Sequence, residues 1–199
     1  MISPMPATHL LYIHGFLSSP RSAKARAMEA WLAEYRPDIR YHCPALTPYP
    51  DDTRERLEAI VTGLPADATL HLTGSSLGGY WATWLAERYD LRAALINPVV
   101  RFDLRKGGYI GVELKNYHSE ERYTLQEADI ESFHSVDTPE VNRPQNYWLM
   151  VQSGDEVLDH TLALDKYKHC KQLLLEGGDH SFQGFEAWIP QIIDFLEER

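Results

Sequence analysis

The chain has 199 residues, of which 44% are hydrophobic and 24% are charged, and its formal net charge is −10. This length suits a single domain that buries a core without staples. The acidic balance argues against a nucleic-acid-binding surface, which would need a basic face. No run approaches the roughly 20 apolar residues that a membrane span requires. We therefore expect one domain over residues 1–199 that binds neither nucleic acid nor membrane.

The cysteines and the amino terminus indicate the compartment. Cys43 and Cys170 are the two cysteines, and neither lies in a C-x-x-C or a Cys/His ligand pattern. This spacing argues against a zinc site. Two cysteines allow one disulfide, but we predict two buried free thiols in a reducing compartment. Residues Met1–Pro6 lack the basic start and the apolar run of an export signal. Together these features predict a cytoplasmic protein.

Short apolar runs alternate with helical patterns along the chain. The predicted strands are Leu10–Ile13, Ile39–Cys43, Leu70–Thr73, Ala93–Ile96, Tyr147–Gln152 and Gln172–Leu175. The predicted helices are Ser22–Tyr35, Asp52–Leu64, Leu77–Tyr89, His160–Lys168 and Phe185–Glu198. Strands that are apolar on both faces indicate an α/β fold with a six-stranded, mainly parallel sheet covered by helices on both sides. Active sites in such sheets lie beyond the carboxyl ends of the strands.

One segment, residues 102–146, interrupts this alternation. It contains turn signals such as Lys106–Gly108 and no convincing strand, and its one predicted helix is Leu125–Phe133. A segment this long between two core strands is usually functional or poorly ordered. We interpret it as a small cap over the active site, and the alternative is a surface excursion without a role.

The segment Gly74–Gly78 reads Gly-Ser-Ser-Leu-Gly and lies between a predicted strand and a predicted helix. The pattern G-x-S-x-G in this context is the nucleophile elbow of serine hydrolases. Strand and helix backbones approach closely there, so the positions two residues before and after the nucleophile need minimal side chains. Ser76 has Gly74 and Gly78 at those positions, whereas Ser75 has a threonine and a leucine. Ser76 is the predicted nucleophile; the alternative is a glycine-rich turn that only lets a helix pack on the sheet.

The base should be a histidine late in the chain, because α/β-hydrolase triads follow the order Ser, acid, His. His180 lies in the loop Gly177–Phe182, directly after the last predicted strand. The other candidates lie in or beside a predicted helix or in the proposed cap: His160, His169, His118 and His134. Position therefore selects His180.

The acid should follow the preceding strand. Asp155 comes shortly after Tyr147–Gln152, where a carboxylate can orient the imidazole and stabilise its charged form. Glu156, Asp159 and Asp179 are rivals for this role, although Asp179 is adjacent to the histidine and adjacent side chains usually diverge. Asp155 is the predicted acid, with an ordinary turn aspartate as the alternative.

Two backbone N–H groups should stabilise the oxyanion. The amide of Leu77 lies at the amino terminus of the helix after the elbow, where N–H groups are free. The second donor should come from the loop after the first strand, here called the oxyanion loop, which begins His14-Gly-Phe. Gly15 lets that backbone approach the site, so the amide of Phe16 is the predicted second donor. These parts predict acyl transfer to water, with no metal and no organic cofactor.

Several motifs resemble the small bacterial α/β-hydrolases of the YqiA type. The similarity covers nearly the whole chain and rests on Leu11–Ala25, Gly74–Tyr80, Asn97–Pro98, Tyr123–Leu125, Ser153–Val157 and Gly177–Phe182. The resemblance implies an α/β-hydrolase fold and esterase activity on simple acyl esters or acyl-thioesters. It also implies that Ser76, Asp155 and His180 form the triad.

The leading hypothesis is a carboxylic ester hydrolase acting on a small-molecule ester. A variant is an acyl-CoA thioesterase, in which a phosphate is held by basic residues near the oxyanion loop or the cap entrance: Arg21, Lys24, Arg26, Arg101 and Arg105. A hypothesis of another class is a binding protein on a hydrolase fold, since fold alone does not establish function. Nothing in the sequence suggests the extended groove of a peptidase.

Overall fold

Six strands form one parallel sheet in the computed structural model, which describes residues 7–198. Met1–Pro6, on which the expectation of no export signal rests, lie outside the described residues. The strands in chain order are β1 Thr8–Ile13, β2 Ile39–His42, β3 Thr69–Ser75, β4 Arg92–Ile96, β5 Glu113–Lys115, β6 Arg122–Thr124, β7 Tyr147–Gln152 and β8 Lys171–Leu175. The sheet order is β2-β1-β3-β4-β7-β8, with every neighbouring pair parallel. The prediction of a six-stranded parallel sheet is confirmed.

The helices agree with the predicted ones to within a few residues. They are α1 Ala23–Tyr35, α2 Pro50–Gly63, α3 Leu77–Tyr89, α4 Glu127–Ser135, α5 His160–Lys166 and α6 Ile189–Glu197. The predicted continuous helix Phe185–Glu198 is wrong, because a 3₁₀ turn at Phe185–Trp188 precedes α6. Pro190 lies in the first turn of α6, where its missing N–H costs no helical hydrogen bond. A proline in the first turn also explains the start of α2, which begins at Pro50 rather than at Asp52.

The sheet separates two apolar clusters. In β1, Leu11 and Ile13 join the cluster under α2 and α3, whereas Leu10 and Tyr12 join the cluster under α1 and α6. Alternate residues of a strand point to opposite faces, so a strand covered on both sides is apolar throughout. The edge strand β8 departs from this pattern, since none of its five residues is fully buried.

The prediction of no strand in residues 102–146 is wrong. β5 and β6 form an antiparallel hairpin that pairs Glu113 with Thr124 and Lys115 with Arg122. Each strand has three residues, mostly polar and exposed, too few for alternation to be read from the sequence. The predicted helix exists as α4, which begins after Gln126 in a capping box.

The two cysteines are free thiols, as predicted, but each is half-buried rather than buried. Between residues 7 and 198, no helix combines the length and the apolar character needed to cross a bilayer.

Candidate active site

Ser76 is the single residue between the end of β3 and the start of α3. Its backbone has φ +56° and ψ −124°, a strained conformation for a residue with a side chain. Ser76 occupies the N-cap position of α3, yet its hydroxyl makes no capping hydrogen bond. Serine side chains usually cap helices at this position. The sharp turn therefore leaves this hydroxyl available for another partner.

The two glycines that flank Ser76 are required by the close approach of three backbone segments. A Cβ atom on Gly78 would lie 1.9 Å from the carbonyl oxygen of Ile13, and one on Gly74 would lie 2.3 Å from the carbonyl oxygen of Gly78. Both distances are far below van der Waals contact. The elbow is therefore built by packing α3 directly onto the ends of β1 and β3, as the flanking-glycine argument predicted.

Ser76, His180 and Asp155 form a continuous hydrogen-bonded chain. The Ser76 Oγ lies 3.0 Å from the His180 Nε2. The His180 Nδ1 lies 2.8 and 3.0 Å from the two carboxylate oxygens of Asp155. A proton on Nδ1 donated to the carboxylate leaves Nε2 as an acceptor for the serine hydroxyl. The arrangement can therefore draw a proton from Ser76.

The Asp155 carboxylate is buried and held by further donors. Its side chain is 2% exposed. It accepts the backbone N–H groups of Val157 at 2.9 Å and Leu158 at 2.8 Å. These bonds fix the carboxylate independently of the histidine, so that the carboxylate can fix the orientation of the ring.

The three rival carboxylates have other partners. Glu156 accepts the backbone N–H of His180 at 2.9 Å, and Asp159 caps α5 by accepting the Thr161 N–H. Asp179 accepts the N–H of Ser181 at 2.9 Å and a side-chain N–H of Gln183 at 2.8 Å. The structure thus brings Asp155 to the imidazole and leaves the rivals to shape the loops around it.

The loop after β1 lies against the nucleophile. A Cβ atom on Gly15 would lie 3.2 Å from the Ser76 Cβ. Within residues 7–198, the backbone N–H groups of Phe16 and Leu77 donate no hydrogen bond. Two open donors beside a serine are the arrangement that an oxyanion hole requires.

His14 braces this loop from behind. The residue is 3% exposed, its Nδ1 lies 3.0 Å from the Gly15 carbonyl oxygen, and its Nε2 accepts the Leu46 N–H at 3.2 Å. Both bonds fit a neutral ring with its proton on Nδ1. Burial has the largest effect on the pKa of His14 and lowers it, in agreement with this neutral form.

Sequence reasoning missed the two residues of the 102–146 segment that hold the oxyanion loop. Asn116 is 5% exposed, and its Nδ2 donates to the Ser18 carbonyl oxygen at 2.9 Å. The backbone N–H of Tyr117 donates to the carbonyl oxygen of Leu17 at 2.8 Å. Leu17 itself has φ +53°, a conformation that needs such outside support. An asparagine in a polar run carries no sequence signal of such a role.

Asn97 is a third residue whose role the sequence analysis did not identify. It is 2% exposed, with its Nδ2 at 3.0 Å from the Asp179 carbonyl oxygen and 3.2 Å from that of His180. Its Oδ1 accepts the N–H of Gln152 at 3.0 Å. Asn97 therefore ties the loop of the histidine to the ends of β4 and β7. Its place between a buried strand and Pro98 was the available signal.

A cavity of about 340 Å³ opens beside Ser76 and His180. Its wall includes aromatic and polar side chains from β1, the oxyanion loop, the start of α1, the 102–146 segment and the loops that carry Asp155 and His180: Tyr12, Phe16, Ser22, Lys24, Tyr117, Glu156 and Ser181. The described part of the chain contains no group of three or more metal-ligating side chains. Ser76, His180 and Phe16 all line this cavity.

Comparisons with known proteins agree with this architecture. The model of UPF0227, described as an uncharacterised protein family, matches residues 9–197. Alpha/beta hydrolase domain-containing protein 10 from mouse superposes with a TM-score of 0.67 at 17% identity, covering 95% of this chain and 89% of that one. Est1E from Butyrivibrio proteoclasticus, with ferulic acid bound, gives 0.66 at 16% identity and covers 98% and 90%. A serine hydrolase without lid from Xanthomonas campestris gives 0.63 at 13% identity and covers 100% and 86%. At these identities the structures establish the α/β-hydrolase fold.

Proposed function

Because the chain belongs to family UPF0227, the YqiA-type α/β-hydrolases that its motifs resemble, we propose that it is a serine esterase for carboxylic esters of simple acyl groups. The observation that supports this most strongly is the 3.0 Å contact between the Ser76 Oγ and the His180 Nε2. That contact joins a hydroxyl freed by a strained turn to an imidazole already oriented by a buried carboxylate. Together these features activate a serine for acyl transfer, and hydrolysis is acyl transfer to water.

The first half-reaction would form an acyl-enzyme. The Ser76 oxygen attacks the ester carbonyl carbon while the His180 Nε2 takes the hydroxyl proton. The carbonyl electron pair moves to the oxygen, which receives hydrogen bonds from the backbone N–H groups of Phe16 and Leu77. The C–O bond to the alcohol then breaks, and His180 returns the proton to the departing alkoxide.

The second half-reaction would repeat these steps with water. His180 takes a proton from a water molecule, whose oxygen attacks the acyl carbon, and the same two amides hold the oxyanion. Collapse breaks the bond to the serine oxygen, which recovers its proton from His180. The products are a carboxylic acid and an alcohol, and the enzyme returns to its starting state.

The 102–146 segment would act as a cap in this proposal. The ring of Phe16 lies 5.3 Å from that of Phe102 and 4.9 Å from that of Tyr109, measured between centroids. Tyr117 lines the cavity itself. These contacts support a role in shaping the site over the alternative of a surface excursion.

Steady-state kinetics with 4-nitrophenyl esters from acetate to decanoate test the proposal. We expect the wild type to hydrolyse the shorter esters, and Ser76→Ala to lower kcat by about 10³-fold or more. Ser75→Ala, which removes the neighbouring hydroxyl, should retain activity within about tenfold. An acyl-CoA and an oxygen ester of equal acyl length distinguish the thioesterase variant. A wild type that turns over no ester would contradict the proposal.

A further inference from the structure

Lys24 lies in the first turn of α1 and lines the catalytic cavity. Its Nζ donates to the carbonyl oxygen of Ser181 at 2.7 Å. Ser181 directly follows His180, so the ammonium group contacts the residue next to the base in the chain. Arg21 and Arg26, the neighbouring cations of the sequence, are exposed and do not line this cavity.

The Lys24 side chain is half-buried, and its ammonium group takes part in no ion pair within residues 7–198. Within residues 7–198, no carboxylate lies within 4.0 Å of it, although burial, foremost, lowers its pKa. The nearby carboxylates of Asp155 and Asp179 raise that pKa from a distance, but both are committed to bonds in the histidine loop. Exposed Glu186 acts in the same direction. An ammonium group has three donors, of which one is used here.

The wall next to Lys24 offers further donors. Tyr12 is 1% exposed and lines the same cavity, with the Ser75 hydroxyl beside its own. The first turn of α1 contains no acidic residue, and the Ser22 side chain makes no capping hydrogen bond. The carboxylate on the cavity wall, Glu156, is turned towards the backbone N–H of His180. This side of the cavity is therefore suited to an acceptor that carries negative charge.

We propose that Lys24 and Tyr12 form a subsite for a carboxylate group of the substrate, a few bonds from the scissile carbonyl. The inference rests on the proposed esterase function and names its substrate class. The short distance follows from the contact of Lys24 with the residue next to His180. It separates this subsite from recognition of coenzyme A, whose phosphates lie beyond the whole length of the pantetheine arm from the thioester.

Two pairs of matched esters test this subsite. Monoethyl glutarate and ethyl pentanoate differ by a carboxylate on the acyl side, whereas butyryl glycolate and ethyl butyrate differ by a carboxylate on the alcohol side. The readout is the ratio of kcat/KM for the charged ester to that for its neutral partner, followed by acid release at constant pH. We expect the wild type to favour the charged ester in one pair by about tenfold or more. The pair that shows the preference identifies the side that carries the anion.

Three variants locate the preference. Lys24→Met should lower the ratio by about tenfold or more, and Tyr12→Phe by a smaller factor of about three. Lys166→Met is the matched control, because Lys166 is another lysine whose pKa burial lowers, but it lines a separate cavity with Arg101 and Asp137. Its ratio should equal that of the wild type. The ratio of the two kcat/KM values does not depend on the fraction of folded enzyme, so it can be measured even for a partly unfolded variant.

A ratio that Lys24→Met leaves unchanged, or a wild type that prefers both neutral esters, would overturn the subsite. Binding separates this failure from failure of the esterase proposal. Calorimetric titration of Ser76→Ala with monoethyl glutarate and with butyryl glycolate should show binding of one of them that Ser76→Ala/Lys24→Met lacks. If Ser76→Ala binds one of these esters through Lys24 but the wild type hydrolyses no ester, the esterase proposal is refuted and the subsite is not. Absence of such binding in Ser76→Ala would refute the subsite.

Discussion

The carboxyl edge of the sheet and the 102–146 segment both reach the cavity, but they are built differently. Ser76, Asp155 and His180 follow β3, β7 and β8, each a strand of the parallel sheet. The 102–146 segment has one short hairpin of its own and reaches the oxyanion loop through Asn116 and Tyr117. The comparison teaches that the proposed proton-transfer groups and the Leu77 amide are fixed by the sheet edge, whereas the Phe16 amide, the other proposed oxyanion donor, depends on a distant segment. Changes at the sheet edge should abolish chemistry or folding, and changes in the segment should only reduce the rate.

The largest effect on the sheet side is expected from Asp155→Asn. An amide in place of the buried carboxylate can hold His180 in the wrong tautomer, so we expect kcat to fall by about 10³- to 10⁴-fold. Asp179→Asn is the matched control, because Asp179 is adjacent to His180 but bonds away from the ring; its activity should stay within about tenfold. A loss below tenfold for Asp155→Asn, measured on protein with wild-type circular dichroism, would assign the acid elsewhere.

Gly78→Ala should break the packing of the sheet edge itself. The new Cβ would lie 1.9 Å from a backbone oxygen that cannot move away freely, so we expect the free energy of unfolding to fall by about 3 kcal/mol or more. Gly63→Ala, at the end of α2, has open space around its Cβ and should be neutral or slightly stabilising. Urea unfolding measures both, and similar stabilities would disprove the close approach.

Acid should weaken the sheet through His71. This β3 residue is 8% exposed, and burial lowers its pKa to about 4. The unfolded chain, with an ordinary value near 6.5, binds the proton first. The contribution of neutral His71 to the free energy of unfolding is therefore fully present above pH 6.5. It is lost as the pH drops from 6.5 to 4, by on the order of 2–3 kcal/mol.

His71→Gln should flatten that pH dependence in unfolding measurements between pH 7 and pH 4.5. Burial shifts the pKa values of His9, His14 and His42 in the same direction, so a smaller slope should remain. His134→Gln, at an exposed position of α4, should leave the slope as it is in the wild type. Equal slopes for His71→Gln and the wild type would exclude His71 as a source of acid sensitivity.

The smallest effect is expected on the side of the 102–146 segment. Asn116→Ala removes the bond to Ser18 and loosens the loop that carries the Phe16 amide, so kcat should fall by about tenfold while KM changes little. Asn142 lies in the same segment and makes an exposed contact with Glu87 of α3, so Asn142→Ala should keep the wild-type kcat. An Asn116→Ala effect confined to KM would place the segment in substrate binding instead.

The sequence predicted the sheet side well and the segment poorly, for physical reasons. Buried parallel strands such as β7 are continuous apolar runs, so their ends could be located, and with them the loops of Asp155 and His180. The hairpin β5–β6 and the contacts of Asn116 depend on tertiary pairing between polar residues, which leaves no local pattern. The triad roles, the cap, the cytoplasmic location and the absence of nucleic-acid or membrane partners stay predictions.

Labelling with a fluorophosphonate tests most directly whether the elbow activates one serine. The probe forms a stable adduct only with a serine whose proton a neighbouring base removes, and peptide mapping locates the adduct. We expect a single adduct on Ser76 in the wild type, still present in Ser75→Ala and absent from Ser76→Ala and from His180→Ala. A wild type that does not label, or a label that remains after Ser76→Ala, would contradict the assignment of Ser76 as the nucleophile.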